Sequence, residues 1–433
     1  MKHWFRDSHF RSLLKNVSYL AASRGVASIS GIATLAFAGR GLGLAMFGTL
    51  ILITSYTQAA SGLSKFQSWQ LIIRYGAPAL VTGEPQAFRQ ATGFAFALDV
   101  VSGLIGMVAA IALLPLLGPW FGIPPEYMWL AMIYCLLLPT MAAATPVGVL
   151  RALDRFDLIS WQGTVNPIAR SLLVFIAWWQ GLTLPWFVAI WFITDLGGDI
   201  YLWFLAWREL RRRQLLKGIK PTLKPTELKG AWKFAVTVNL TASLMQAWGP
   251  IARLIVGGLL GPASAGLYRV AASMSDATQR PADLLAKAYF PEVMRMDLAT
   301  KHPWKLMLRS IVMATGFGLV AVLVVLLFGK VILNAMFGAE FVPAYGVLLV
   351  MLAVPMLWML SFPLPLMLYA LDRPDAPLKA RVVGTIAYFA AVVPLTLQFE
   401  TIGAAIAFVM GNAVVVAVLA LYLRREYRRV RLK

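Results

Sequence analysis

The chain has 433 residues, 60% of them hydrophobic and 13% charged, against roughly 45–50% and 25% for a soluble globular protein. Its 39 Lys and Arg and 19 Asp and Glu give a net charge of +20, too few charges to cover a soluble fold of this size. The basic residues sit in short clusters between long apolar runs, which excludes a nucleic-acid-binding face and makes the bilayer the solvent.

Runs of about 20 apolar residues cross a ~30 Å hydrocarbon core as helices, because only helices or closed barrels satisfy the backbone there. Twelve segments qualify: 17–39, 44–63, 93–117, 127–150, 159–179, 184–207, 234–260, 263–288, 308–328, 347–371, 382–397 and 402–423. The first contains Arg24 and has no small-residue cleavage site after it, so it is expected to be a retained span and not a signal peptide. Gly39, Gly41 and Gly43 follow no strand, so they predict a tight extracytoplasmic turn and not a dinucleotide loop. Span 8 is weakest, because it carries Arg269, Asp276 and Arg280. Parity supports it: without span 8 the following basic loop and every later loop would change sides.

Lys and Arg in short loops set orientation. With both termini cytoplasmic, and with Arg280, Lys287 and Arg309 counted with the basic loop they flank, 33 of the 39 fall on the cytoplasmic side and two, Arg40 and Lys330, on the other. The segment from Arg208 to Lys229 holds Arg211, Arg212, Arg213, Lys217, Lys220 and Lys224, and is expected to be attracted to anionic membrane lipids. The basic C-terminal tail after Leu423 has the same character.

An internal repeat supports the count. Leu42-Gly43-Leu44-Ala45-Met46-Phe47-Gly48 matches Leu260-Gly261-Pro262-Ala263-Ser264-Ala265-Gly266 at an offset of 218. Leu150-Arg151-Ala152-Leu153-Asp154-Arg155-Phe156-Asp157 matches Leu368-Tyr369-Ala370-Leu371-Asp372-Arg373-Pro374-Asp375 at the same offset. The expected fold is therefore all-α and integral to the membrane, with two pseudo-symmetric six-helix halves of like orientation. Residues 1–213 form the first lobe, 214–230 a basic cytoplasmic linker and 231–433 the second lobe.

Apart from Arg280, Asp283, Lys287 and Arg309, which flank the basic loop between spans 8 and 9, eight ionisable side chains fall inside the spans: Arg24, Asp99, Arg170, Asp195, Asp199, Arg253, Arg269 and Asp276. Each costs ~2.5–3.5 kcal/mol near the bilayer centre, so each is expected to face a partner or a polar interior. Four Arg and four Asp balance, as paired charges lining a water-filled cavity would. Asp195 and Asp199 share one helix face. With Asp99 they are candidates either for H⁺ or Na⁺ coupling or for neutralising the arginines. Arg24, Arg170 and Arg253 carry planar, permanent charges suited to phosphate, so an anionic head group is a natural ligand. Prolines within spans, such as Pro139, Pro146, Pro355 and Pro363, serve either as hinges or as static bends. The one cysteine, Cys135, allows no intrachain disulfide, and His3, His9 and His302 are too scattered for a metal site, so neither a metal nor a cofactor is expected.

The run from Gly39 to Gly48, the run from Leu260 through Gly266-Leu267-Tyr268-Arg269-Val270-Ala271, the segment Phe337-Gly338-Ala339-Glu340-Phe341-Val342-Pro343-Ala344-Tyr345 and the loop from Gly148 to Phe156 together resemble a known family. It is the polysaccharide-transport branch of the multidrug/oligosaccharidyl-lipid/polysaccharide (MOP) exporter superfamily. The resemblance spans nearly the whole chain and implies a flippase in the bacterial inner membrane. Such a protein moves undecaprenyl-pyrophosphate-linked oligosaccharide for O-antigen, capsule or exopolysaccharide assembly. It implies two lobes forming a V, as in the multidrug (MATE) branch, alternating access through a cationic central cavity, and polymerase or chain-length machinery as partners. Arg24, Arg170 and Arg253 would then hold the pyrophosphate. Many relatives carry an acidic residue just before the span 7 arginine, where this chain has Ile251-Ala252-Arg253. Twelve spans instead of fourteen argue against the peptidoglycan-precursor branch. The rival reading is a cation-coupled small-molecule exporter using Asp99, Asp195 and Asp199. An enzyme is not expected, since the longest extracytoplasmic loop, 329–346, carries only Lys330 and Glu340 as charges.

Overall fold

Long apolar runs without period-2 alternation favour helices, and every regular element among the described residues of the computed structural model is helical. The structure describes the backbone of residues 8–141, 144–246, 248–294, 300, 302–371, 373 and 375–431. It describes their side chains from residue 25 onward, apart from 241, 244, 245, 280–285, 287, 288, 290–292, 294, 430 and 431. In order the helices are α1 (Ser8–Ser64), α2 (Ser68–Leu71), α3 (Ala77–Val81), α4 (Pro85–Trp120), α5 (Met128–Cys135), α6 (Leu138–Met141), α7 (Thr145–Ala152), α8 (Phe156–Trp179) and α9 (Leu184–Arg212). After them come α10 (Ala231–Gln246), α11 (Trp248–Leu260), α12 (Pro262–Met294), α13 (His302–Phe337), α14 (Ala344–Met351), α15 (Ala353–Ser361), α16 (Pro363–Ala370) and α17 (Asp375–Arg431).

Among the described residues six helices are long and apolar enough to cross a membrane, and a seventh results if the bent pair Pro125–Cys135 and Leu138–Ala152 makes one span. The twelve expected segments are distributed differently over them. α1 and α17 have 57 residues each and leave helical geometry once, at Gly43 (φ 70°, ψ 170°) and at Phe399–Glu400. Expected spans 1 and 2 lie on the two arms of α1, and spans 11 and 12 on those of α17. The expected turn from Gly39 to Gly43 is thus corrected to a break at one residue. Gly41 is helical and lies against its neighbours: a Cβ there would be 2.9 Å from the Phe187 ring. Expected spans 4 and 10 are interrupted near Leu136, Ala144, Leu352 and Phe362, each just before a proline that removes an N–H donor and crowds the preceding turn.

The chain forms two compact units, Met1–Leu42 with Ile53–Ile251, and Gly43–Leu52 with Ala252–Lys433. In the first, Phe88, Ala95, Val149, Leu150 and Leu205 bring α4, α7 and α9 together. In the second, Val293, Met359, Met367, Leu368 and Ala380 bring α12, α15, α16 and α17 together.

Both repeated motifs have structural counterparts. Gly43 and its equivalent Gly261 both take left-handed φ values, 70° and 86°, which only glycine adopts without strain. Gly48 and Gly266 then pack the two matching segments together within the second unit. A Cβ on Gly48 would overlap the Pro262 carbonyl, and one on Gly266 would meet the Phe47 ring at 3.2 Å. Glu340 of the Phe337–Tyr345 motif accepts the Leu44 N–H at 3.0 Å, capping the arm that starts after Gly43.

The second motif closes a clasp in each unit. Arg155 N–H donates to Leu150 O at 2.8 Å and Arg373 N–H to Leu368 O at 2.9 Å, ending α7 and α16 alike. Arg155 then binds both carboxylate oxygens of Asp157, at 2.9 and 2.8 Å, and Glu209 of α9. Arg373 likewise binds Asp375, at 3.1 and 3.5 Å, and Glu426 of α17. Hydrogen bonds from Arg155 hold the Asp157 carboxyl below its ordinary value, and those from Arg373 and Lys379 do the same for Asp375.

Gly48→Ala should destabilise the protein by ~3 kcal/mol or more, since backbone blocks the new methyl. Gly181→Ala, at φ 65° with open space around it, should cost only ~1–2 kcal/mol; thermal unfolding in detergent compares them. Arg155→Ala leaves the buried Glu209 with only the more distant Arg212 and Arg213, at 3.8 and 3.9 Å, and should cost ~3 kcal/mol. Because the aspartate pKa values are lowered, the clasps contribute fully above the ordinary carboxylate range and weaken as pH falls through the lowered values. A pH series of melting curves should therefore show their contribution flat from about pH 5 to 8 and lost only below about pH 4.

Candidate functional site

Neutralising an intramembrane charge requires donors or counter-charges from neighbouring helices, and α8, α9 and α5 supply them in the first unit. Arg170 of α8 pairs with Asp195 of α9 through Oδ1 and donates from Nε to Thr194 Oγ1 at 2.7 Å. Its guanidinium also lies 5.7 Å from the Trp191 ring centre. The Tyr134 hydroxyl of α5 donates to Asp195 Oδ2 at 2.5 Å, so both oxygens of that carboxylate are occupied. One turn along, Asp199 is in electrostatic reach of Asp195, Lys65 and Arg170, with the Thr140 hydroxyl in hydrogen-bonding reach. Its Oδ2 is enclosed and has no hydrogen-bond partner among the described residues.

Asp99 is neutralised differently. It is fully buried and accepts the Ala144 N–H, the Thr145 N–H and the Thr145 hydroxyl, each at 2.7 Å, together with the Ser68 hydroxyl. These donors include the first amide groups of α7, so the carboxylate sits at a helix N-terminus where the backbone dipole favours negative charge. The described partners of Asp99 are all neutral, so it meets hydroxyls and amides in place of an arginine.

Beside the Arg170–Asp195 pair, a groove of about 460 Å³ runs between α8 and α9. Trp161, Gln162, Asn166 and Tyr201 line it, and Thr194 closes one side. A Cβ on Gly198 would lie 2.7 Å from Asn166 Nδ2 and 2.8 Å from Gln162 Nε2, so this glycine lets both amides lie against α9.

In the second unit Arg253 of α11 is only 7% exposed, between the buried Ala252 and Leu254. Tyr268, Arg269 and Asp276 of α12 and Tyr388 of α17 are in electrostatic reach of it. Among the described residues this cluster holds two guanidiniums and one carboxylate and is net positive. The structure thus joins Arg170 with Asp195 and Asp199 in one unit and places Arg253 with Arg269 in the other; the side chain of Arg24 lies outside the described residues. Among the described residues no group of three His, Cys, Asp or Glu could hold a metal. A search for ionisable residues overlooked Tyr134, Thr140, Thr145, Gln162, Asn166 and Tyr388. Their one sequence signal is polarity inside an apolar run.

The geometry has counterparts in known proteins. A family profile described as "Polysaccharide biosynthesis protein" matches residues 13–296. Inner membrane protein YghQ of Escherichia coli (strain K12) is 42% identical over 351 residues, covering 80% of this chain and 99% of that protein. An inward-facing multidrug resistance MATE family transporter of the MOP superfamily shares the fold with a TM-score of 0.72 at 14% identity, over 94% of this chain and 96% of that one. The lipid II flippase MurJ, in an inward closed conformation, does so with a TM-score of 0.70 at 13% identity, over 95% and 90%.

The two buried carboxylates should respond differently to neutralisation. Asp99→Ala strands the donors of α7 and Ser68 and should destabilise the protein by ~3 kcal/mol or more. Asp199→Asn removes a charge that lacks a full set of partners, and should leave the melting temperature within a degree or two of the parent, roughly the ±0.5 kcal/mol of a benign change.

Proposed function

Because this chain belongs to the polysaccharide biosynthesis protein family and shares its fold with a transporter of the MOP superfamily, we propose that it is a flippase for undecaprenyl-pyrophosphate-linked oligosaccharide in the bacterial inner membrane. It serves O-antigen, capsule or exopolysaccharide assembly, works by alternating access across twelve spans with both termini cytoplasmic, and acts as a transporter, not an enzyme. The observation that carries this reading is the net-positive cluster around Arg253. A guanidinium held among apolar helices is permanently charged and weakly hydrated, so it can exchange its surroundings for a pyrophosphate with little loss of solvation. Arg269, in electrostatic reach, adds a second cation. Arg170 has its charge matched by Asp195 and contributes less attraction.

The groove between α8 and α9 suits the other part of such a substrate. Gln162 and Asn166 offer paired donors and acceptors, and Trp161 and Tyr201 offer flat apolar faces, the combination that hydroxyl-bearing rings require. Transport is proposed to be coupled to H⁺ or Na⁺ at Asp199, where an enclosed oxygen has no donor among the described residues.

In a strain lacking the gene and complemented at equal membrane levels, Arg253→Gln should lower glycan export at least tenfold, equivalent to ~1.4 kcal/mol or more, while Arg253→Lys retains part of it. Wild-type export by Arg253→Gln would remove Arg253 from the site. The same strain in a pump-deficient background should show no change in drug susceptibility; efflux that depends on Asp195 and Asp199 would instead establish the small-molecule exporter.

A further inference from the structure

The segment between α9 and α10 is an ordered strap laid over α4. Arg89 of α4 donates from Nε to Leu215 O and from Nη2 to Gln214 O, both at 3.3 Å. The Thr222 N–H reaches Gly93 O at 3.4 Å. A Cβ on Gly93 would overlap the Lys220 carbonyl, so glycine marks the point where the strap crosses the helix backbone. Farther on, the Tyr75 hydroxyl donates to Lys229 O at 3.2 Å and Trp232 Nε1 to Leu223 O at 2.9 Å. A linker of this composition would be a loose polybasic loop if lipid attraction were its only role. Here it forms one wall of a cavity.

That cavity, of about 420 Å³, lies between α4, α7, α9 and the strap, and its walls include Phe96, Val149, Trp203, Leu210, Leu216 and Ile219. The Phe96 and Trp203 rings meet edge to face at 5.4 Å. The two hydroxyls on the walls are already used: Thr92 donates to Phe88 O at 2.8 Å and Thr145 to Asp99. The interior is thus apolar, and at ~30 Å³ per small group in a liquid it holds on the order of a dozen methylene-sized groups. One acyl chain fits; a long polyprenyl tail does not.

The rim has the opposite character. Arg211 lies 5.4 Å from the ring centre of Trp207, a cavity residue that holds the guanidinium at the mouth. On the strap, exposed Lys217 and Lys220 alternate with the lining residues Leu216, Ile219 and Pro221. Tryptophan beside cations above an apolar recess matches the layering of a lipid, with its chain below and its head group at the interface.

We infer that this cleft binds one anionic glycerophospholipid, with an acyl chain beneath the strap and the phosphate-bearing head group held by Arg211, Lys217 and Lys220. The bound lipid fills the cavity and fastens the strap to α4 and α9 independently of the transported substrate.

Native mass spectrometry of the full chain in detergent, with phosphatidylglycerol and phosphatidylcholine of identical chains at equal concentration, tests this. The expected result is one phosphatidylglycerol retained per chain with at least tenfold preference. That preference should fall below threefold in the Arg211→Gln/Lys217→Gln/Lys220→Gln variant, whose changes are on exposed side chains. Lys224→Gln/Lys229→Gln/Lys233→Gln, which removes as much charge away from the rim, should leave it unchanged, and Ile219→Trp should reduce retention of both lipids. Equal retention by the parent, unchanged preference in the rim variant, or an equal loss in the two triple variants would overturn the site, the last by showing diffuse attraction only. Displacement of the bound lipid by polyprenyl phosphate would overturn the choice of occupant.

Discussion

Hydrocarbon offers no water to an orphaned charge, and this requirement governs how the helices are arranged. Two of the carboxylates inside the expected spans sit where other helices answer them. Asp195 is held by Arg170 and Tyr134, from two different helices. Asp99 collects hydroxyls from α2 and α7 and the opening amides of α7. These contacts fix the rotation of α4, α5, α8 and α9 about their own axes, which greasy packing alone leaves loosely specified. Against that background the meeting of Arg253 and Arg269 stands out, since it brings two cations together among apolar helices.

The duplication visible in the chain is a duplication of joints. Both copies of the first motif place a left-handed glycine at a break and a second glycine at a close approach. Both copies of the second end a helix with the same backbone bond and then use an arginine to tie the next helix start to a more distant carboxylate, on α9 in one copy and on the second arm of α17 in the other. What the repeat preserves is the chemistry of corners, where geometry is least forgiving. Between corners, any apolar residue of suitable size serves.

The helices, the repeat and the intramembrane charges were legible in the sequence because each rests on a short-range signal: hydropathy over one span, identity at one offset, or a charge in an apolar run. The break at Gly43 was misplaced as a longer turn, because three glycines in five residues look alike until packing separates them. Gly41 serves Phe187 and Trp178, and only Gly43 serves the backbone. The partners of Asp99 were invisible for a related reason. A search that matches acids with bases passes over hydroxyls and amides, which are the cheaper donors to bury. Glu209 and Glu426 were hidden among arginines, where a carboxylate looks like part of a solvated basic face until its burial is known.

The arm of α1 that begins after Gly43 has its first amide held by Glu340, a residue 296 positions later in the chain. Residues 43–52 accordingly belong to the second compact unit, although they are made with the first. A ribosome adding roughly 5–20 residues per second reaches Glu340 some tens of seconds after that segment has entered the bilayer. During this interval Gly48 lacks the Pro262 carbonyl against which it packs. The nascent protein therefore carries an unfinished stretch near its start, and its completion is timed by elongation and not by local folding.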